Sequence, residues 1–290
     1  MVFPELWWIP VVVSLLLCSM GFYRFVWFMS VGYGISSAGI GLTMLIMALL
    51  SGQCSVLYAV QAILFIVYGI RLGGFLLYRE LRNAKYREKM AQVGGNMTVP
   101  VFVAFFMWIY CGFIYVIQAS GFVYRYYNAD AASPNTFAYI GTAVCLAGII
   151  IEAMADKQKG EQKKTAPDMP AMQGLYKLCR CPNYFGEMLF WTGVFISGIG
   201  SLQGWQWLIA VLGWIEIIFV MVSGAKRVEG RHIKNYGDKP EYNAYADSTP
   251  LLIPFIPLYH MTSPEKMAEE EARKAAKKKA QEEKRSKKNG

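Results

Sequence analysis

The sequence predicts an all-α integral membrane protein with about seven transmembrane helices, the N-terminus lumenal and the C-terminus cytosolic. Three observations predict it. Charge is shut out of long stretches: between Leu6 and Tyr78 the only charged side chains are Arg24 and Arg71. The apolar runs reach the length of about 20 residues that a bilayer needs. Lysine and arginine crowd into alternate connecting segments, as the topology of membrane proteins requires. Bulk composition says less. The chain has 290 residues, 55% of them hydrophobic, and a mean hydropathy of +0.29. A soluble domain is itself about half apolar, so the distribution decides.

The predicted spans are 6–22, 25–50, 56–78, 99–119, 137–154, 185–199 and 205–223. The first follows Met1–Glu5, which lacks a basic leader region, and reads as a retained span rather than a cleaved signal. The second holds Gly32, Gly34, Gly39 and Gly41, which either allow close helix packing or mark a break. The sixth is short and has Glu187 at its start. The segment after span three carries Arg79, Arg82, Lys85, Arg87 and Lys89. The one after span five carries Lys157, Lys159, Lys163, Lys164, Lys177 and Arg180. The one after span seven carries Lys226, Arg227 and Arg231. Between them, 120–136 and 200–204 hold Arg125 as their only cation. Two spans separate each pair of basic segments, so all three face one side, and the lysine and arginine bias makes it the cytosol.

The net charge of +9 flanks the spans and fills the tail, without the aromatic–basic interleaving of a nucleic-acid-binding domain. Of six cysteines, Cys179 and Cys181 lie close together, but no second Cys or His pair stands near them, and the chain has two histidines. No metal site is expected. Spans and connections form one domain over 1–260. Within it, 251–259 is apolar, broken by Pro254 and Pro257, and too short to cross. It is expected at the interface or docked against the membrane domain. The tail, 261–290, is rich in Ala, Glu and Lys, has no apolar face, and is expected to be solvated or a frayed helix. Near an anionic leaflet its cations gain roughly 1 kcal/mol each. The ending Lys287-Lys288-Asn289-Gly290 resembles a dilysine retrieval signal read by coat proteins, which implies the endoplasmic reticulum. A chance ending in a Lys-rich tail is the alternative. Asn96-Met97-Thr98 is a glycosylation sequon that this topology leaves unused.

Polar groups beside or inside spans are costly and mark candidate chemistry. In Gly174–Glu187, Pro182 suits a helix start, which puts Asn183, Tyr184 and Glu187 on the first turn. Asn183 and Glu187 share a face at a spacing of four, and Arg180 adds a phosphate-grade cation. Capping plus an interfacial anchor is the plainer account. Glu152 and Asp156 share a face at the C-terminal end of span five, where the helix dipole disfavours acids. Neutralisation by Lys157 or Lys163 is the plainer account there. Tyr68 and Arg71 form either an interfacial belt pair or a proton donor beside a cation. Arg227, Glu229, His232, Tyr242 and Tyr245 alone read as a surface loop.

Together these residues resemble the steroid 5-alpha-reductase C-terminal-like superfamily, in its uncharacterised membrane-protein branch (DUF1295-like). The specific likeness covers about 150–258. It rests on Ala155-Asp156-Lys157-Gln158, on Arg180-Cys181-Pro182-Asn183-Tyr184-Phe185-Gly186-Glu187, and on Glu229…Tyr242-Asn243-Ala244-Tyr245…Leu252-Ile253-Pro254-Phe255. The resemblance implies a membrane-embedded, NADPH-dependent reductase of a conjugated carbon–carbon double bond in a lipid or sterol-like substrate. Arg71, Glu152, Asp156, Arg180, Asn183, Tyr184 and Glu187 would line the cofactor site. Arg227, Glu229, His232 and Tyr245 would close it, and Tyr68 would polarise the substrate carbonyl. Three positions depart from the pattern. Cys181 replaces the usual His. Glu152 stands where steroid reductases have an Asn. Those enzymes also pair an acid of the second span with the Tyr, whereas the only acid here before Glu80 is Glu5. An enoyl thioester or another lipid enone therefore fits as well as a steroid ketone. Two other readings stand beside the reductase. A membrane methyltransferase of the isoprenylcysteine or phospholipid type shares the later motifs and would bind S-adenosylmethionine. A non-catalytic lipid-binding protein on the same fold is the other.

Overall fold

A computed structural model describes residues 3–82, 99–263 and 265. Lys85, Arg87 and Lys89, the Asn96 sequon and the dilysine ending lie outside the described residues. Among the described residues the regular structure is helical. The α-helices are α1 (Trp8–Cys18), α2 (Val31–Leu50), α3 (Val56–Arg82), α4 (Val101–Gln118), α5 (Ser120–Tyr127), α6 (Thr136–Thr165), α7 (Pro182–Gly198), α8 (Gln206–Tyr236) and α9 (Pro240–Ser248). Short 3-10 turns cover Ser19–Phe22, Phe25–Met29 and Gly174–Lys177.

Five helices, α2, α3, α4, α6 and α8, are long and apolar enough to cross a membrane. The protein is thus a multi-pass membrane protein. The first predicted span comes out shorter, at 11 residues for α1, and the sixth slightly longer, at 17 for α7, both below the length of those five. The second is helical throughout only from Val31, because the chain turns before it. Arg24 is extended, with φ −142° and ψ 115°. Its guanidinium pairs with Glu80 near the end of α3, and Trp27 Nε1 donates to the same carboxylate at 2.7 Å. The glycines of α2 mark packing rather than a break. A Cβ on Gly34 would lie 2.6 Å from the Gly73 nitrogen, and one on Gly69 would lie 2.3 Å from the Gly34 carbonyl oxygen. Only hydrogen in place of a side chain lets α2 and α3 approach so closely.

Two compact units divide the chain: Met1–Ile149 with Met188–Ile218, and Ile150–Glu187 with Phe219–Gly290. In the first unit Arg125 is fully buried in α5, not a loop cation. Its Nε donates to Asp130 at 2.7 Å, its Nη1 bonds Gln61, and Gln61 in turn donates to Thr142 at 2.7 Å. A buried charge needs such partners, because desolvation is otherwise uncompensated.

In the second unit, glutamines of α6 fasten the following polar segment. Gln162 Oε1 accepts from the Met172 and Gln173 N–H groups at 2.9 Å each. Gln158 Oε1 accepts from Leu175 N–H at 2.8 Å. Gly174, at φ +67°, supplies the left-handed turn between them. Tyr176 then packs on Ala155 and Ala171. Helix α8 has 31 residues, roughly 46 Å at 1.5 Å per residue. It therefore outruns a hydrocarbon core of about 30 Å. Its last turns, beyond Ser223, carry Lys226, Arg227, Glu229, Arg231 and His232 outside the apolar stretch.

Candidate functional site

The predicted site residues fall in both units. Tyr68 and Arg71 belong to the first. Tyr68 is fully buried, so it is not an interfacial belt residue. Its ring stacks on Phe190 with centroids 4.0 Å apart. Its hydroxyl lies 2.7 Å from the hydroxyl of Tyr33 in α2. Trp191 Nε1 donates to Tyr33 at 2.5 Å and approaches Tyr68 at 3.3 Å. Indole N–H only donates, so Tyr33 accepts there. Tyr33 and Tyr68 share a hydrogen bond in which either hydroxyl can donate. Chains of this kind polarise one another in a low-dielectric interior. Arg71, one turn further along α3, is half-buried.

Tyr33 and Trp191 are the residues the sequence reading missed. Where the resemblance implies an acid in the second span, the group that meets Tyr68 from that span is a phenol. The available signal was weak: Tyr33 is the one aromatic in the Gly32–Gly41 stretch of α2.

The remaining predicted residues belong to the second unit. Pro182 opens α7 as expected, and Asn183, Tyr184 and Glu187 occupy its first turns. Glu187 is buried, and Asn183 and Tyr184 are half-buried. On α6, Glu152 is buried and Asp156 half-buried. Tyr184 packs over Gly224 of α8, where an added Cβ would lie 3.3 Å from the ring. Cys181 is buried, and burial pushes its thiol up to about 12. It is a small apolar filler there, not a nucleophile.

The expected surface loop around Glu229 is instead helix and core, because α8 continues through it. Glu229 and Arg180 are both buried, and Arg180 Nη2 meets Glu229 Oε1 at 3.0 Å. The second Glu229 oxygen accepts the backbone N–H groups of Met261 and Thr262, each at 3.0 Å. Arg180 also donates to the Tyr259 carbonyl, and its backbone N–H donates to Pro250 at 2.8 Å. The pair is thus tied to the chain that follows α9. Tyr245, half-buried, donates to the Tyr176 carbonyl at 2.6 Å. Arg227 is exposed.

His232 sits edge-on to Tyr236 and Tyr242. Burial, aided by Lys159, Arg231, Lys163 and Arg180, lowers its pKa to about 3. The folded protein therefore holds His232 neutral, while an unfolded chain takes up a proton below about pH 6.5. Its contribution to stability is complete above that value and is lost as pH falls toward 3. Acidification from pH 7 to 4 is expected to lower the thermal midpoint of the protein in detergent. His232→Gln is expected to flatten that dependence, and an unchanged slope in the variant would exclude His232 as its source.

The arrangement offers a cluster of cations around neutral aromatic and imidazole surfaces in one unit. The other offers a pair of hydrogen-bonded phenols in an aromatic cage. Among known proteins, a family model described as a protein of unknown function (DUF1295) matches residues 25–249. No curated protein and no solved structure matches the chain. The matched stretch takes in every candidate site residue named above, and the chain belongs to this DUF1295 family.

Proposed function

We propose that the protein is a membrane-embedded reductase of a conjugated C=C bond in a lipid or sterol-like substrate, with NADPH as hydride donor. The local set of cations that acts on His232 and Tyr184 carries this reading. Lys159, Lys163, Arg180 and Arg231 act electrostatically on His232, and Arg227 and Arg231 on Tyr184. Phosphates are the natural complement of such a cluster. S-adenosylmethionine has no phosphate and carries a sulfonium cation, so the same field disfavours it. NADPH, when bound, supplies the hydride. Arg180, Arg231 and the lysines would hold its phosphates, and the face of Asn183 and Glu187 would meet its amide or hydroxyl groups. Hydride arriving at a β-carbon builds negative charge on the carbonyl oxygen. Tyr68, supported by Tyr33 and Trp191, would donate its proton to that oxygen to give the enol, whose tautomerisation through water would place a proton on the α-carbon and restore the phenol.

Titration of the purified protein decides between cofactors. NADPH is expected to bind, more weakly in high salt and in the Glu187→Gln variant, while S-adenosylhomocysteine does not. Binding of S-adenosylhomocysteine alone would favour the methyltransferase. Glu187→Gln without effect on NADPH binding or on the cellular lipid profile would favour a non-catalytic protein.

A further inference from the structure

The chain after α9 makes a closed apolar loop whose purpose neither the cofactor site nor the phenol chain explains. Leu251 N–H donates to the Leu258 carbonyl at 2.8 Å and closes the loop at its base. Leu251 and Leu252 point inward and are buried. The tip does the opposite: Phe255 is 88% exposed, and Ile256 and Leu258 are close to half exposed. Phe255 is also held at φ +66°, a conformation that a bulky L residue rarely adopts. From 250 to 259 the sequence has no charged side chain.

The tip's backbone is as telling as its side chains. Pro254 and Pro257 have no N–H to satisfy. Ile256 N–H donates to Ile253 at 3.3 Å, and Leu258 N–H donates to Ile256 at 2.7 Å. Three of the six N–H groups in 251–258 are thus bonded within the loop, which lowers what an apolar medium would cost it. Outside α6 and α8, the exposed large hydrophobics described in this unit are Leu178 and the three of this loop. The apolar surface is therefore concentrated here.

We propose that the loop 251–258 is a lipid anchor, with Phe255 and Ile256 inserted into the interfacial region of the bilayer. The loop follows Pro250, whose carbonyl accepts from Arg180 N–H two residues before α7 starts, so its apolar tip stands beside the start of a helix predicted to cross the bilayer. The anchor lies four residues before Tyr259, where the chain begins to cover the Arg180–Glu229 pair. Lipid contact thus fixes the segment that encloses that pair, and this holds whether or not the protein is a reductase.

The test is a fluorescent label on Phe255→Cys in the full-length protein in lipid nanodiscs. Cys54→Ser serves as background, because Cys54 is the one half-buried native cysteine and the other five are buried. Asp238→Cys, at an exposed polar position, is the aqueous control, and Ile256→Cys is a second tip site should the first variant fold poorly. The tip labels are expected to emit at shorter wavelength than the control. They should lose intensity with nitroxide placed near the headgroup end of the acyl chains, and keep it with aqueous iodide. Quenching by iodide at the control's level would overturn the proposal. So would shielding from both quenchers, which would mean that the loop is docked on protein.

Discussion

Replacing Glu229 by alanine is expected to cost the protein about 3–5 kcal/mol, the usual penalty for stranding one member of a buried ion pair. Arg180 would keep its charge in an interior site and lose its carboxylate partner at 3.0 Å. The Met261 and Thr262 N–H groups would lose their acceptor as well. The chain after α9 should detach, seen as faster limited proteolysis near residue 260 and a lower thermal midpoint in detergent. Glu229→Gln, which keeps an acceptor oxygen, should fall between. The double variant Arg180→Met, Glu229→Leu removes both charges, and should recover much of the stability because no uncompensated ion remains. A single alanine variant that melts like the parent would mean that the pair does not hold this segment.

Under the proposed chemistry, Tyr68→Phe is the variant with the largest effect on turnover. Loss of a positioned proton donor costs roughly 10²–10⁴-fold. NADPH binding should be unchanged, because Tyr68 is assigned to the carbonyl and not to the cofactor. Tyr33→Phe keeps the Tyr68 hydroxyl but removes the hydroxyl that meets it and the nearer acceptor of Trp191 Nε1. Its expected loss is smaller, and the structural cost about 0.5–1.5 kcal/mol, that of one hydrogen bond, because the indole N–H keeps Tyr68 as an acceptor. Equal turnover in Tyr68→Phe and the parent, with cofactor binding intact, would remove Tyr68 from the mechanism. Comparing binding with turnover separates that result from failure of the cofactor assignment.

The helices were legible because a span is a local property. The run from Val56 to Tyr78 holds a single charge, and its apolar character needs no partner to be recognised. The start of α7 was equally local, since Pro182 announces it and the four-residue spacing of Asn183 and Glu187 follows from helix geometry alone. Where helices end was less legible. The sequence reading stopped the seventh span at Ser223, but α8 runs on to Tyr236 through charged residues. Solvated or paired polar side chains do not break a helix. That extension put Glu229 in the core rather than in a surface loop.

By itself, then, the sequence determined a helical multi-pass membrane protein, its basic segments and a cluster of candidate residues bearing the DUF1295 pattern. Tertiary structure alone decided which of them meet. Tyr33 faces Tyr68 because glycines at 34, 69 and 73 bring α2 and α3 together in one rotational setting, which no linear spacing records. Arg180 and Glu229 are 49 positions apart, and Arg125 reads as a loop cation until Asp130 and Gln61 close around it. Periodicity along the chain fixes an element and its faces. Pairing between elements depends on burial, where an unpartnered charge or hydroxyl is costly enough to select its partner from anywhere in the fold.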